Sequence, residues 1–169
     1  MPTFYTVDRQ GNLSQGAIVN LLKFKDIEPP ELQIHVDEIF PDGVSKHGDQ
    51  YFLNNNQLAT IASPSIEIIY EYVRRASHLD KPSRFQSFFA CGSELEALNF
   101  RQQYGKETDS IWLVEAEEYF MADMNLLKIN HSILVISYFA NKYWKGEHND
   151  NPFWEILLKP PILVVSRVV

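Results

Sequence analysis

The run KPSRFQSFFA at residues 81–90 and the run SELE that follows at residues 93–96 decide the local order of elements. The aromatic side chains of the first run are typical of a strand, which we expect over residues 84–90. In the second run, a serine and a glutamate three residues apart match the capping box that begins a helix. The pattern predicts a helix over residues 94–104, with Gly105 as its left-handed stop.

The part of the chain before this stretch is less regular. Alternating β-prone residues near 3–7 predict a first strand. Residues 64–76 combine a first-turn proline with apolar side chains at helical spacing, which predicts a helix capped by Ser63. Residues 16–58 are expected to be mostly irregular, with one short strand where residues 32–36 alternate. The amino-terminal half thus contributes strands and at least one helix.

The carboxy-terminal half is expected to be rich in strands. Short β-prone runs predict strands at residues 111–114, 154–158 and 162–168, and a Lys-Pro-Pro turn separates the last two. Residues 132–145 have the length and composition of a largely buried helix that ends at Gly146. The mixture predicts an α+β fold in which helices flank a mainly antiparallel sheet.

The composition fits one compact domain spanning residues 1–169. With 45% apolar residues, a chain of 169 residues can bury one substantial core. A net charge of −7 gives no overall attraction to phosphates or anionic lipid, so any contact with nucleic acid must be local. A single cysteine, no readable secretory signal and no apolar run near the roughly 20 residues that span a bilayer favour a reducing, cytoplasmic setting without a membrane.

Metal and phosphate-loop chemistry find little support in the residue pattern. The five histidines include no pair at the i, i+4 spacing of a metal-binding helix, so we expect no metal. The seven glycines nowhere form the Gly-rich loop of a dinucleotide or triphosphate site. Cys91 precedes a helix whose dipole can stabilise a thiolate, but a buried, structural thiol is the favoured interpretation.

Several segments occur in an order that resembles the ADP-ribosyltransferase superfamily. In that superfamily a first strand carries a polar NAD contact, a middle strand carries an aromatic residue or a serine, and a late strand begins with a glutamate. The matching segments cover most of the chain and look like a small bacterial branch of the superfamily: residues 4–9, 81–90, 111–115, 154–158 and the Ala-x-x-Tyr-Trp-x-Gly run at 140–146. The resemblance implies an ADP-ribosyltransferase-like split, mainly antiparallel β-sheet and NAD as substrate.

The resemblance also implies roles for individual residues. Glu155 takes the catalytic role, because cleavage of the nicotinamide–ribose bond builds oxocarbenium character that a buried carboxylate stabilises. An aromatic wall holds the nicotinamide ring, and arginine pairs with the pyrophosphate. The set implied to bind NAD is Thr6, Arg9, Arg84, Ser87 and Phe88.

Two positions depart from the superfamily's pattern. Thr6 lies where many relatives have histidine or arginine, and Arg9 follows as a substitute for the missing cation. Phe153 stands two residues before Glu155, where arginine-modifying relatives have Glu or Gln. These departures favour an acceptor other than arginine, or an inactive site.

Three functions remain open on sequence alone. The first is an NAD-dependent mono-ADP-ribosyltransferase that modifies an intracellular protein or nucleic acid, as the toxin of a toxin–antitoxin or phage-defence system with an antitoxin or inhibitor protein as partner. The second is a non-catalytic protein-binding or immunity-type domain, and the third is an NAD glycohydrolase. Convergence of Arg9, Ser87 and Glu155 on one cleft favours catalysis, whereas dispersal favours the binding domain.

Overall fold

The computed structural model describes residues 1–53 and 64–169, and these form helices around two antiparallel sheets. The strands are β1 (Thr3–Asp8), β2 (Ile18–Val19), β3 (Phe88–Ala90), β4 (Ser110–Glu115), β5 (Tyr119–Asp123), β6 (Trp154–Leu158) and β7 (Ile162–Arg167). The helices are α1 (Pro30–Ile39), the single turn α2 (Lys46–Gly48), α3 (Pro64–Ser77), α4 (Glu94–Tyr104) and α5 (Ile133–Trp144). The expected mixed α+β class with antiparallel pairing is confirmed.

The two sheets meet at the edges of β1 and β3. The first sheet has the order β1-β4-β7-β2 and the second β3-β6-β5, and neighbouring strands in both are antiparallel. Tyr5 in β1 and Cys91 just after β3 exchange two backbone hydrogen bonds of 2.9 and 2.7 Å. The Thr6 hydroxyl adds a third link by donating to the Phe89 carbonyl at 2.9 Å. These links fix where the two sheets diverge.

The main core fills the space between the sheets. Phe4 and Val164 from the first sheet pack in one cluster with Ile156 and Leu158 from the second. Leu157 points the other way and packs in a second cluster with side chains of α3 and α5. Successive side chains of a strand alternate between its faces, so an apolar run such as 156–158 is buried throughout only when both faces are covered. β6 is therefore a central strand.

The helices predicted from capping and periodicity are confirmed. α4 begins with the expected capping box, in which Ser93 Oγ accepts from the Glu96 amide and the Glu96 carboxylate accepts from the Ser93 amide. The helices expected over 64–76 and 132–145 correspond to α3 and α5. Gly146 follows α5 at φ 72°, the left-handed conformation that favours glycine. The proposed Ser63 cap lies outside the described residues.

Several local predictions were wrong. Residues 32–36 belong to α1, where Pro30 occupies the first turn and the alternating Leu32 and Ile34 are exposed, so their alternation reflects no buried sheet face. In the run 84–90 only Phe88–Ala90 forms a strand, since the preceding Arg84–Gln86 is a 3₁₀ turn capped by a serine hydroxyl.

Two further predictions, on burial and on helix termination, were also wrong. Ile133 and Leu134 at the start of α5 are 87% and 79% exposed, so this helix buries one face rather than most of its surface. Gly105 ends α4 with a negative φ of −119° instead of a left-handed turn. β2 and β5 were not expected from the sequence.

In the described part of the chain, no helix is long and apolar enough to cross a membrane.

Candidate active site

A cavity of about 470 Å³ opens where the two sheets diverge. Its wall includes β1, the turn α2, α3, the segment before β3, α4 and the start of β6. A smaller pocket of about 180 Å³ adjoins it, since Thr6, Val7, Arg9, His47 and Phe89 line both. The larger volume lies within the range of about 300–1,000 Å³ that is usual for small-molecule sites.

Glu155 is buried in the wall of the larger cavity and is 6% exposed. Its Oε1 accepts hydrogen bonds from an Arg84 Nη1–H group and, at 2.6 Å, from the Tyr143 hydroxyl. Its Oε2 has no hydrogen-bond partner among the described residues. A glutamate that opens a strand is usually a solvated edge residue, and Glu155 is instead ion-paired inside the protein.

Arg84 lies between two buried carboxylates. It donates to Glu67 at 2.9 and 3.1 Å from Nε and Nη2, and to Glu155 and Tyr143 from Nη1. Its guanidinium also lies 4.9 Å from the centre of the Phe89 ring. The resemblance placed Arg84 among the residues that bind NAD. In the structure its guanidinium is buried and is already engaged by two glutamates.

His47 lies beside Glu67, which like Glu155 is a carboxylate neighbour of Arg84. Its Nε2 lies 3.0 Å from Glu67 Oε1, within ion-pair distance but not aligned as a hydrogen bond. The ring stacks on Tyr51 with 4.5 Å between centroids and packs against Phe89 at 4.7 Å. We call the linked set of these side chains the cavity cluster: His47, Glu67, Arg84, Tyr143 and Glu155.

The backbone around His47 is fixed by close contacts with the segment before β3. The Ser45 amide and hydroxyl both donate to the Phe85 carbonyl, at 2.8 and 3.1 Å. Gly48 lies so close to this carbonyl that a Cβ atom would come within 2.2 Å of its oxygen. Only glycine fits there, because such an approach is far inside van der Waals contact. This packing holds His47 against the cavity.

Charge interactions within the cavity cluster act against the effect of burial on the pKa values of Glu67 and Arg84. Burial raises the pKa of Glu67, but Arg84 and then His47 outweigh it and hold that pKa well below its ordinary value. Burial lowers the pKa of Arg84, but Glu155 and Glu67 raise it well above the ordinary value. The pKa of Tyr143 is raised mainly by burial, so its hydroxyl stays a proton donor to Glu155. The ion pair between Glu67 and Arg84 therefore remains charged at neutral pH.

Arg9 supplies a solvent-exposed cation at the cavity. It lines both pockets, and its guanidinium lies 5.7 Å from the centre of the Phe100 ring. Phe100 also packs with Tyr104 at 5.1 Å and with Phe153 at 6.4 Å. The position two residues before Glu155 is thus part of an aromatic group beside the cavity.

The segment leading into β6 is tied to Asp123 at the end of β5. The buried carboxylate of Asp123 accepts from the Phe153 amide at 2.9 Å and from the Asn149 amide at 3.0 Å. The Phe153 carbonyl accepts in turn from the Met124 amide at 2.8 Å. Backbone donors without other partners are costly to bury, so these bonds hold the approach to Glu155 in one conformation.

The predicted site residues divide between the two pockets. Arg84 and Glu155 line the larger cavity, Ser87 and Phe88 line the adjoining smaller pocket, and Thr6 and Arg9 line both. Ser87 is 1% exposed, and its hydroxyl donates to the Ser83 carbonyl at 2.7 Å. The convergence is therefore partial: Arg9 and Glu155 share one cavity, and Ser87 lies next to it.

Sequence reasoning missed His47 and Glu67. His47 was set aside because it has no second histidine one helical turn away, and Glu67 lies on a helix that was read only for its apolar face. The spacing of 20 residues between them carries no signal of contact. No local pattern indicates that Glu67 is buried, because a glutamate on an amphipathic helix is ordinarily exposed.

Cys91 lines the cavity as a buried thiol. Burial, followed by the charges of Glu96 and Glu155, raises its pKa to about 12. A thiol in that state is a poor nucleophile at neutral pH, since the thiolate is the reactive form. Across residues 1–53 and 64–169, no three His, Cys, Asp or Glu side chains gather as metal ligands do.

Comparison with known proteins gives the chain a family. No curated protein matches it. One family model, described as a protein of unknown function (DUF2441), matches residues 30–169, which include every member of the cavity cluster but begin after Thr6 and Arg9. Because that match spans most of the chain, this protein belongs to the DUF2441 family.

Proposed function

We propose that this protein is an NAD-dependent mono-ADP-ribosyltransferase in which Glu155 is the catalytic residue. The state of the Glu155 carboxylate carries the proposal. It lines a cavity of about 470 Å³, Arg84 and Tyr143 hold its Oε1, and its Oε2 has no hydrogen-bond partner among the described residues. A fixed carboxylate with an unused acceptor suits the ribose 2′-hydroxyl and the developing oxocarbenium ion.

The arrangement of strands supports the proposal. β1, β3 and β6 carry the first-strand, middle-strand and glutamate segments of the resemblance. β3 pairs with β6, and the Tyr5–Cys91 bridge joins β1 to the end of β3. The three segments are therefore neighbours around one opening, as an ADP-ribosyltransferase-like split requires. Antiparallel sheets serve many functions, so the site rather than the fold carries the argument.

The two adjoining pockets provide for the separate parts of NAD. In the proposed complex the nicotinamide ribose occupies the larger cavity, where Tyr51 and Phe89 supply flat aromatic surface. Arg9 lines both pockets and pairs with the pyrophosphate in the proposed complex, in keeping with its role as the substitute for the missing first-strand cation. Arg84 acts instead by fixing Glu155.

The proposed acceptor is an intracellular protein or nucleic acid other than an arginine side chain. Phe153 packs among Phe100 and Tyr104 and offers no carboxylate that could receive a guanidinium. The wider proposal is a cytoplasmic toxin of a toxin–antitoxin or phage-defence system, with an antitoxin or inhibitor protein as partner. NAD hydrolysis, with water as acceptor, is the same chemistry at the same site.

A second candidate is a non-catalytic protein-binding domain. The burial of Arg84 between two glutamates favours it, because such pairs also occur as purely structural features. Exposed apolar side chains are available for a partner, among them Tyr72 on α3 and Ile133 and Leu134 on α5. This candidate requires that the cavity bind no NAD.

The deciding experiment compares Glu155→Gln with the wild type in nicotinamide release, with cell lysate, RNA and DNA supplied as acceptors. We expect turnover to fall by about 10²–10³-fold, the cost of removing one electrostatic contact to a transition state. Glu155→Asp should fail substantially as well, because the shorter side chain cannot reach the ribose. Glu117→Gln, an exposed glutamate outside both pockets, is the matched control.

Folding and NAD binding are measured on the same samples. Glu155→Gln should lose about 1–3 kcal/mol of unfolding free energy, because a charged hydrogen bond to Arg84 becomes neutral. Calorimetry should show that it binds NAD nearly as the wild type does. Undiminished release by a folded Glu155→Gln variant contradicts the assignment of Glu155. A wild type that neither binds nor cleaves NAD at millimolar concentration points to the binding domain.

A further inference from the structure

His47 and Glu67 form a carboxylate–histidine pair on the wall of the cavity, on the opposite side of Arg84 from Glu155. Glu67 Oε1 faces His47 Nε2 at 3.0 Å, while Glu67 also accepts from Arg84 Nε and Nη2. Glu155 accepts from the same guanidinium through Nη1. One arginine thus holds apart two carboxylates with different neighbours, a histidine for Glu67 and a tyrosine for Glu155.

The second nitrogen of His47 is available. Nδ1 has no hydrogen-bond partner among the described residues, and it is not among their fully enclosed, unpartnered polar atoms. The side chain is 19% exposed and lines both pockets. Stacking on Tyr51 and contact with Phe89 fix the plane of the ring. The unpartnered nitrogen of a fixed ring can therefore accept a hydrogen bond or a proton from a bound molecule.

We infer that His47, supported by Glu67, is the general base that takes the proton from the acceptor, an inference that rests on the proposed ADP-ribosyl transfer. The C1′–N bond of NAD breaks, and its electron pair leaves with neutral nicotinamide. A bond forms between C1′ and the acceptor oxygen or nitrogen, and the acceptor's proton moves to His47 Nδ1. Glu67 then stabilises the imidazolium through Nε2, as a buried carboxylate does for a catalytic histidine.

This division of labour assigns the two carboxylates separate tasks. Glu155 faces the developing positive charge on the ribose, and the pair of His47 and Glu67 activates the nucleophile. A single carboxylate performing both tasks would have to release the ribose hydroxyl in order to accept a proton. The cavity cluster thus places a proton acceptor, His47, and a fixed anion, Glu155, in one cavity.

The test is the pH dependence of turnover for His47→Gln beside the wild type. Glutamine keeps a polar side chain near Glu67 but cannot take a proton at neutral pH. We expect turnover to fall by about 10²–10⁴-fold, the usual contribution of a general base. The loss of rate toward low pH, which protonation of the imidazole causes in the wild type, should disappear in the variant. His35→Gln, an exposed histidine on α1, is the control.

Neighbouring ionisable groups influence the pH profile of a reaction that depends on His47. The ionisable groups around it include Glu67 from α3, Tyr51 from the turn after α2, Arg9 just after β1 and Arg84 from the segment before β3. Glu67→Gln should move the low-pH loss of rate to lower pH. The imidazolium loses its stabilising carboxylate in this variant, so a higher proton concentration is needed to protonate the ring. Free imidazole should partly restore turnover to His47→Ala.

The outcomes separate this inference from the proposed function. NAD binding is followed with a carba analogue that cannot be cleaved, and His47→Gln should bind it within about threefold of the wild type if the histidine acts on the acceptor. If folded His47→Gln cleaves NAD with the rate and pH profile of the wild type, the inference about His47 is overturned and the proposed function is not. Absence of cleavage by the wild type at every pH overturns both proposals.

Discussion

Two buried charged clusters share helix α3, and they differ in how completely their hydrogen bonds are made. Glu67 belongs to the cavity cluster, and Glu71, one turn later, belongs to a second group that we call the helix cluster: Glu71, Arg74, Arg75 and Ser83. Both glutamates are nearly inaccessible, at 7% and 4% exposed. They therefore carry similar costs of burial but different surroundings.

The helix cluster uses all the acceptors of its carboxylate. Glu71 Oε1 accepts from Arg74 and Arg75, both at 2.8 Å, and Oε2 accepts from Arg74 at 3.0 Å and Ser83 at 2.8 Å. Arg74 spends its remaining nitrogen on the Lys81 carbonyl. None of the residues in this cluster lines either pocket at the sheet junction.

The cavity cluster leaves acceptors unused. Glu155 Oε2 and His47 Nδ1 have no hydrogen-bond partner among the described residues, and both side chains line the cavity. Buried polar groups are normally satisfied, so incomplete pairing beside a cavity indicates a place for a ligand, whereas complete pairing indicates a structural role. Burial and charge alone therefore do not distinguish the two clusters.

The largest expected effect is on stability, through the arginines. Arg84→Met should lower the free energy of unfolding by about 3–5 kcal/mol, because it leaves Glu67 and Glu155 buried without their shared cation. Arg74→Met should cost less, roughly 1–3 kcal/mol, since Glu71 keeps Arg75 and Ser83. Urea denaturation of both variants measures the difference. Equal losses would show that Arg84 is no more essential to stability than Arg74.

A smaller effect sharpens the contrast between the glutamates. Glu71→Gln should cost about 1–3 kcal/mol of stability, for the same hydrogen-bonding reason as Glu155→Gln. Its nicotinamide release per folded molecule should nevertheless stay within about threefold of the wild type, because neither Glu71 nor its hydrogen-bond partners line the cavity. Release and folded fraction are measured on one sample. A loss of release like that of Glu155→Gln would mean that activity follows stability alone.

The smallest expected effect is on how the free energy of unfolding depends on pH in acid. The pKa of Glu67 is lower in the folded protein than its ordinary value of 4.5. Its contribution to stability is therefore fully present above pH 4.5 and is lost as the pH falls from there toward the folded value. Below the ordinary value, Glu67→Gln should remove up to about 1.4 kcal/mol per pH unit from the slope of unfolding free energy against pH.

Denaturation at a series of pH values between 6 and 3 measures that slope. Glu117→Gln, with an exposed carboxylate, should keep the wild-type slope. An unchanged slope in Glu67→Gln would show that the ion pair with Arg84 does not hold this carboxylate in its charged form.

Prediction from sequence succeeded where the signal was local. The start of α4 followed from Ser93 and Glu96, because a capping box is complete within four residues. It failed where a local pattern had two interpretations. Leu32 and Ile34 alternate as in a strand, yet they lie exposed on α1, whose first turn contains Pro30. Periodicity over five residues cannot separate these cases.

The candidate site was predictable only in part, for the same reason. Glu155 and Arg9 were named through the resemblance, and both line the cavity. Arg84 was named for contact with NAD, but it is buried between two glutamates, and no feature of residues 81–90 indicates those partners. His47 was missed because its partner Glu67 is distant in the chain.

The sequence by itself determined the α+β class, the helices α3, α4 and α5, and most of the strands, because capping, proline placement and apolar spacing act over a few residues. Only the tertiary structure decided which charges are paired. His47, Glu67, Arg84 and Glu155 come from four separate segments and meet where β1 and β3 join the two sheets. A carboxylate's partners depend on distances in space, and those are set by sheet pairing and packing of the whole chain rather than by its neighbours in sequence.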